Sequence, residues 1–171
     1  MRSVGSDGSA FVQVAASQDG FSQGNRGDCR GNIAVVGIGP GSHQGMTLEA
    51  RQALAAAETI VGYHAYLDLV AELIDGKPVI GSGMMQEIER CEAAVEKAVA
   101  GTSVAIVSSG DPGIYGMAGL VLELLLKLPV EKRPEVRIIS GVSAVSAAAA
   151  ALGAPLMHDF AVISLSDLLT P

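Results

Sequence analysis

The feature that most constrains this chain is an alternation. From Asn32 onward, short runs rich in β-branched residues alternate with amphipathic segments, and three of the runs lead into glycine-rich turns. The runs occupy residues 33–39 (IAVVGIG), 59–63 (TIVGY), 77–83 (KPVIGSG), 103–110 (SVAIVSSG) and 135–141 (EVRIISG). Short, nearly continuous apolar runs predict strands covered on both faces, as in parallel sheets. The segments between and after them, 47–58, 66–74, 86–100, 114–128 and 143–153, predict helices. Thr47 is placed to cap the first helix, with Glu49 in its first turn. In 86–100, Ile88, Cys91, Val95 and Ala98/Val99 predict the buried face. The alternation predicts an α/β domain over 32–155, a largely parallel five-stranded sheet with helices on both faces.

The ends of the chain read differently. Residues 1–31 are rich in Gly, Ser, Gln and Asp and predict a flexible extension without chemistry of its own. Residues 156–171 predict a linker and a further strand, FAVISL, the first element of a truncated second domain. Such a strand is expected to be disordered or to pair with another chain's edge.

Charge and composition remove several classes of function. The net charge of the 171-residue chain is −7, and residues 1–31 hold three basic and three acidic residues, so all the excess lies in 32–171. An acidic domain without a basic stripe argues against nucleic-acid binding. No apolar run reaches membrane-spanning length; the longest, 114–128, is interrupted by Glu123 and Lys127. With no apolar leader in the first residues, the expected location is cytoplasmic. Cys29, Cys91, His43, His64 and His158 lack ligand spacing, so no metal site is expected.

The glycine-rich turns carry what chemistry the sequence offers. Ligands of open α/β sheets bind outside the carboxyl ends of the strands, where all three turns fall. In GIGPG (37–41) the dinucleotide fingerprint fails, because Ser42 replaces its third glycine and Pro40 removes a backbone donor. SGDPGIYG (109–116) holds Asp111, which suits either a ligand contact or a cap for the following helix. In SGVSA (140–144), Ser143 leaves the same two readings open. The methionines of GSGMMQEIERCE (81–92) suit a flat apolar ligand or simple core filling. These residues reach a small organic ligand but not a reaction.

The set VVGIGPG, SSGDPGIYGMAG, ISGVSA and GAPLMHDFAVISLSDLLTP resembles the tetrapyrrole (corrin/porphyrin) methyltransferase family over 32–171. The motifs GDPGIYGMAGL, GMMQEIERC and HDFAVISLSDLLTP point within it to the branch that methylates a corrin-ring carbon with ring contraction in cobalamin biosynthesis. The resemblance implies two α/β domains, S-adenosyl-L-methionine in the cleft between them, a precorrin substrate and a homodimer. It implies that Pro40, Ser109, Gly110, Asp111, Ile114, Ser143 and Ala144 contact the methyl donor, with Asp111 also the catalytic candidate. The chain alone is then expected to be inactive. A substrate rich in carboxylates calls for cations such as Arg51, Lys77, Arg90 or Arg137 at the cleft. Two other readings stay open: a relative acting on another acceptor, and a non-enzymatic binding or dimerisation module.

Overall fold

A computed structural model describes residues 31–163. Residues 1–30 and 164–171, with the extension and the last part of the FAVISL run, lie outside the described residues. Among the described residues, five strands form one sheet: β1 (Asn32–Gly37), β2 (Thr59–Tyr63), β3 (Val79–Ser82), β4 (Val104–Ser108) and β5 (Glu135–Ile139). Every pairing is parallel, and the order is β3-β2-β4-β1-β5. Five α-helices connect or follow them: α1 (Leu48–Ala56), α2 (His64–Leu69), α3 (Glu87–Val99), α4 (Met117–Leu126) and α5 (Ala144–Leu152).

The period-2 geometry of the strands divides the core in two. Ile33, Val35, Val104 and Ile106 face one way and pack with α3 and α4 through Cys91, Ala94, Val121 and Leu125. Ala34, Val36, Ala105 and Val107 face the other way and meet α1 and α2 through Ala50, Leu54 and Leu67. Helices therefore cover both faces, as the uninterrupted apolar runs of β1 and β4 require.

Thr47 does cap α1. Its Oγ1 accepts from the Ala50 N–H at 3.2 Å and donates to the Ser140 carbonyl at 3.3 Å, tying α1 to the end of β5. Lys77 closes the other end, donating to the Ala55 and Ala57 carbonyls at 2.7 and 2.6 Å.

Three helices depart from the sequence expectation, each for a visible reason. The segment expected as one helix over 66–74 begins at His64 and breaks after Leu69, continuing as a 3₁₀ turn over Ala71–Leu73. The Leu69 carbonyl lies 2.9 Å from His43 Nε2, so it does not serve the i+4 amide, and the Leu73 N–H turns to Val70. The helix expected from residue 114 begins at Met117, because 111–116 satisfies its polar groups as a turn. In α3 the buried face is Arg90, Cys91, Ala94, Val95 and Ala98, whereas Ile88 and Val99 are exposed. The period was legible there but its phase was displaced by one side chain, since a buried arginine occupies the face expected to be apolar.

Among the described residues, the last regular element ends at Leu152, with Gly153 in the left-handed conformation as its cap. Residues 154–163 follow as exposed, irregular chain, and 160–163 of the FAVISL run pair with no strand.

Candidate functional site

The strands that carry the three glycine turns are adjacent, in the order β4-β1-β5. Because all three are parallel, their carboxyl ends and turns meet at one edge of the sheet. The turns are bonded to each other through their backbones. The Ile38 N–H donates to the Ser108 carbonyl at 3.0 Å, Gly39 N–H to Gly110 O at 3.0 Å and Val142 N–H to Gly39 O at 3.3 Å. Such approach leaves no room for side chains: a Cβ on Gly37 would lie 2.6 Å from both Gly110 O and Gly141 N, and one on Gly39 would lie 2.7 Å from Gly110 Cα. Gly110 adopts φ +55°, which disfavours a side chain on conformational grounds as well. The Gly39–Pro40 peptide is cis.

A cavity of about 340 Å³ opens beside these turns. Ile38, Gly39, Pro40 and Gly41 form one wall, Ser109 and Gly110 a second, and Val142, Ala144 and Ala147 a third. Tyr66 and Leu69 of α2 close it. The α2 contribution is set by His43, whose ring spans the Leu69 carbonyl and, at 3.6 Å, the Glu72 carboxylate. Tyr66 is fixed by an edge-on contact with Tyr63, ring centroids 5.1 Å apart.

Of the residues singled out in the sequence, Pro40, Ser109, Gly110 and Ala144 come together on the cavity wall, whereas Asp111, Ile114 and Ser143 do not line it. Asp111 is no helix cap: its Oδ1 accepts from the Gly113 N–H at 2.8 Å, bracing the turn next to Gly110, and α4 is capped at Gly116 without a side chain. The Ser143 Oγ accepts from the Ser146 N–H at 3.2 Å and caps α5. Ile114 is exposed beside Tyr115, whose φ is +51° and whose hydroxyl donates to the Val162 carbonyl at 3.0 Å. Tyr66 and Leu69 carry no sequence signal for this site; only the direct passage from β2 into α2 at His64 brings them here.

The four candidate cations do not gather at the cavity. Lys77 is bound to the end of α1, Arg137 to Glu49 at 2.8 Å, and Arg51 is exposed on α1. Arg90 is buried beneath the β3–α3 turn. Among the described residues, no group of three or more His, Cys, Asp or Glu is placed to hold a metal ion, and no helix is long and apolar enough to cross a membrane.

The fold and site define a class: a wholly parallel α/β sheet with a small-molecule cleft assembled from glycine turns at its carboxyl edge. Within that class the chain belongs to the Tetrapyrrole (Corrin/Porphyrin) Methylases, whose family pattern matches residues 32–171. It is 60% identical over 139 residues to "Probable cobalt-factor III C(17)-methyltransferase" of Salmonella typhimurium, covering 81% of this chain and 57% of that protein. It is 46% identical over 142 residues to "Precorrin-3B C(17)-methyltransferase" of Sinorhizobium sp, covering 82% and 56%. The chain thus spans just over half the length of these curated relatives. Among solved structures, the methyltransferase CobJ superposes with a TM-score of 0.75 at 43% identity, over 82% of this chain and 59% of the other. Uroporphyrin-III C-methyl transferase from Thermus thermophilus, solved with S-adenosyl homocysteine, superposes with a TM-score of 0.59 at 26% identity, over 75% and 54%.

Proposed function

We propose that this chain supplies the donor-binding α/β domain of an S-adenosylmethionine-dependent methyltransferase acting at C17 of a corrinoid precursor, precorrin-3B, in cobalamin biosynthesis. The single observation that carries this reading is the backbone-bonded junction of three turns around a cavity, in a chain 60% identical to a relative named for C17 methylation. The S-adenosyl homocysteine in one structural neighbour supports the choice of donor.

The residues fit such a donor. Gly39 and Gly110 keep the wall at backbone thickness, so a bulky ligand can lie against main chain. Ile38, Leu69, Val142, Ala144 and Ala147 give an apolar lining suited to a ring system, and Tyr66 adds an aromatic surface. The Ser109 hydroxyl and the backbone of Pro40 and Gly41 offer polar contacts along one side. When bound, S-adenosylmethionine supplies a methyl group on a sulfonium, electrophilic without further activation. The chain's own task is therefore to bind, align and exclude water. Asp111, which accepts from the Gly113 N–H and so braces the turn beside the Gly110 wall, is kept as the catalytic candidate of this reading although it does not line the cavity.

A second reading differs only in the acceptor. The relative named for cobalt-factor III is more similar than the one named for precorrin-3B, 60% against 46%, which favours the cobalt-bearing form of the substrate. The whole enzyme is taken to be a homodimer, as the resemblance implies.

The test is calorimetric titration of the 171-residue chain with S-adenosylhomocysteine, beside NADH as a dinucleotide control. The expected result is micromolar binding of the first and none of the second. Ala144→Phe, which fills the cavity from an exposed position and leaves the core intact, is expected to weaken binding at least tenfold. Binding that Ala144→Phe leaves unchanged, or no binding at all, overturns the donor assignment.

A further inference from the structure

Arg90 is the one charged residue among those buried in the described core, with 4% of its surface exposed. A buried guanidinium normally meets a carboxylate, because stripping it of water without compensation is costly. None lies within salt-bridge distance of Arg90 among the described residues; its partners are neutral. Nε donates to Ser82 Oγ at 2.7 Å and a terminal nitrogen donates to the Gly83 carbonyl at 2.9 Å. The other terminal nitrogen approaches Met117 Sδ at 3.8 Å, and the guanidinium carbon stands 5.8 Å from the centre of the Tyr63 ring. One side chain therefore joins the ends of β2 and β3 to the first residue of α4.

What Arg90 holds in place is unusual too. Directly after Gly83 come Met84 and Met85, 73% and 75% exposed, and Met85 sits at φ +62°, a conformation that L side chains rarely adopt. The turn is cinched by the Gly83 N–H donating to Gln86 Oε1 at 2.7 Å. Just before α4, whose first residue Met117 meets Arg90, Ile114 and Tyr115 are exposed, and Tyr115 also has positive φ. Two turns thus put four large apolar side chains into solvent at the carboxyl edge of the sheet, each with a positive-φ residue; Arg90 bonds the first at Gly83 and touches Met117, which begins the helix after the second. Neither turn contributes to the cavity assigned to the donor.

We propose that Arg90 is a positioning residue for the acceptor: it locks the 83–86 turn to the start of α4 so that Met84, Met85, Ile114 and Tyr115 form one apolar ledge for the flat face of a macrocycle. This rests on the methyltransferase reading and extends it from the donor pocket to the acceptor; it moves Ile114, which the resemblance gave to the donor but which does not line the cavity, to the acceptor side. Thioethers suit that occupant, because they are polarizable and pack well against conjugated rings. A tetrapyrrole carries its carboxylates on its periphery and its conjugation on its faces, so an acidic domain can accept it face-on. Face-on binding also asks less of surface cations, and the four candidate cations do not gather at the cavity.

The ledge is tested on the full chain with two probes, free-base uroporphyrin followed by fluorescence and S-adenosylhomocysteine followed by calorimetry. Met84→Ser/Met85→Ser alters only exposed side chains, and it is expected to weaken porphyrin binding at least tenfold while leaving S-adenosylhomocysteine binding within threefold. Arg90→Met is expected to show the same split, with Arg90→Lys intermediate, and to speed proteolytic cleavage within 83–86. A uniform loss of both ligands in the Arg90 variants, with no effect of the methionine pair, overturns the proposal and leaves Arg90 as a fold residue. A wild-type chain that binds S-adenosylhomocysteine but not the porphyrin overturns the ledge alone. One that binds the porphyrin, with the methionine dependence, but not S-adenosylhomocysteine overturns the donor assignment and supports the ledge.

Discussion

The chemistry of Cys91 follows directly from where it sits. It is fully buried on α3 against the sheet, and desolvation pushes its thiol from about 9.0 up to about 12, against the opposing influence of Arg90 and with help from Glu87 and Glu92. A folded-state pKa above the unfolded one means that, above pH 9, the unfolded chain has given up a proton which the folded chain keeps. Stability is therefore whole below pH 9 and falls as pH rises from there toward 12, with a limiting slope of about 1.4 kcal/mol per pH unit from this group. Urea titrations of wild type and Cys91→Ala between pH 8 and 11 check this; the variant is expected to show the shallower decline. Parallel slopes would mean that Cys91 ionises without a folding penalty.

Among the elements, α1 shows how one residue links local sequence to tertiary order. Thr47 caps the helix and also reaches the Ser140 carbonyl, so it couples α1 to the turn after β5 on the cavity side of the sheet. Thr47→Ala is expected to cost about 1–2 kcal/mol in urea unfolding, with Thr47→Ser recovering most of it. A loss no larger than a few tenths would show that solvent replaces both bonds. The cap was legible in the sequence because its cause is local, a β-region threonine before an apolar period. So were the strands, the sheet class and the glycine turns. The phase of α3 was not, because nothing local distinguishes an arginine that bonds Ser82 and Gly83 from one that points to solvent. Nor was the break in α2, which depends on His43, 26 residues before Leu69. The cavity was half legible for the same reason. Pro40, Ser109, Gly110 and Ala144 belong to the turns themselves, whereas Tyr66 and Leu69 arrive by packing.

For the molecule as a whole, strand order does the decisive work. The three turns are scattered over a hundred residues of sequence, and only the placement of β1 between β4 and β5 brings them within hydrogen-bonding reach. The central claim is that this junction is where the methyl donor binds, apart from the ledge at 83–86 and 114–115. Mapping amide shifts of the labelled chain as S-adenosylhomocysteine is added tests it most directly. The expected changes concentrate at 38–41, 109–110 and 142–147, with a smaller response at 66–69. Changes centred on 83–86, or on the exposed segment 154–163, would place the donor elsewhere and contradict the account.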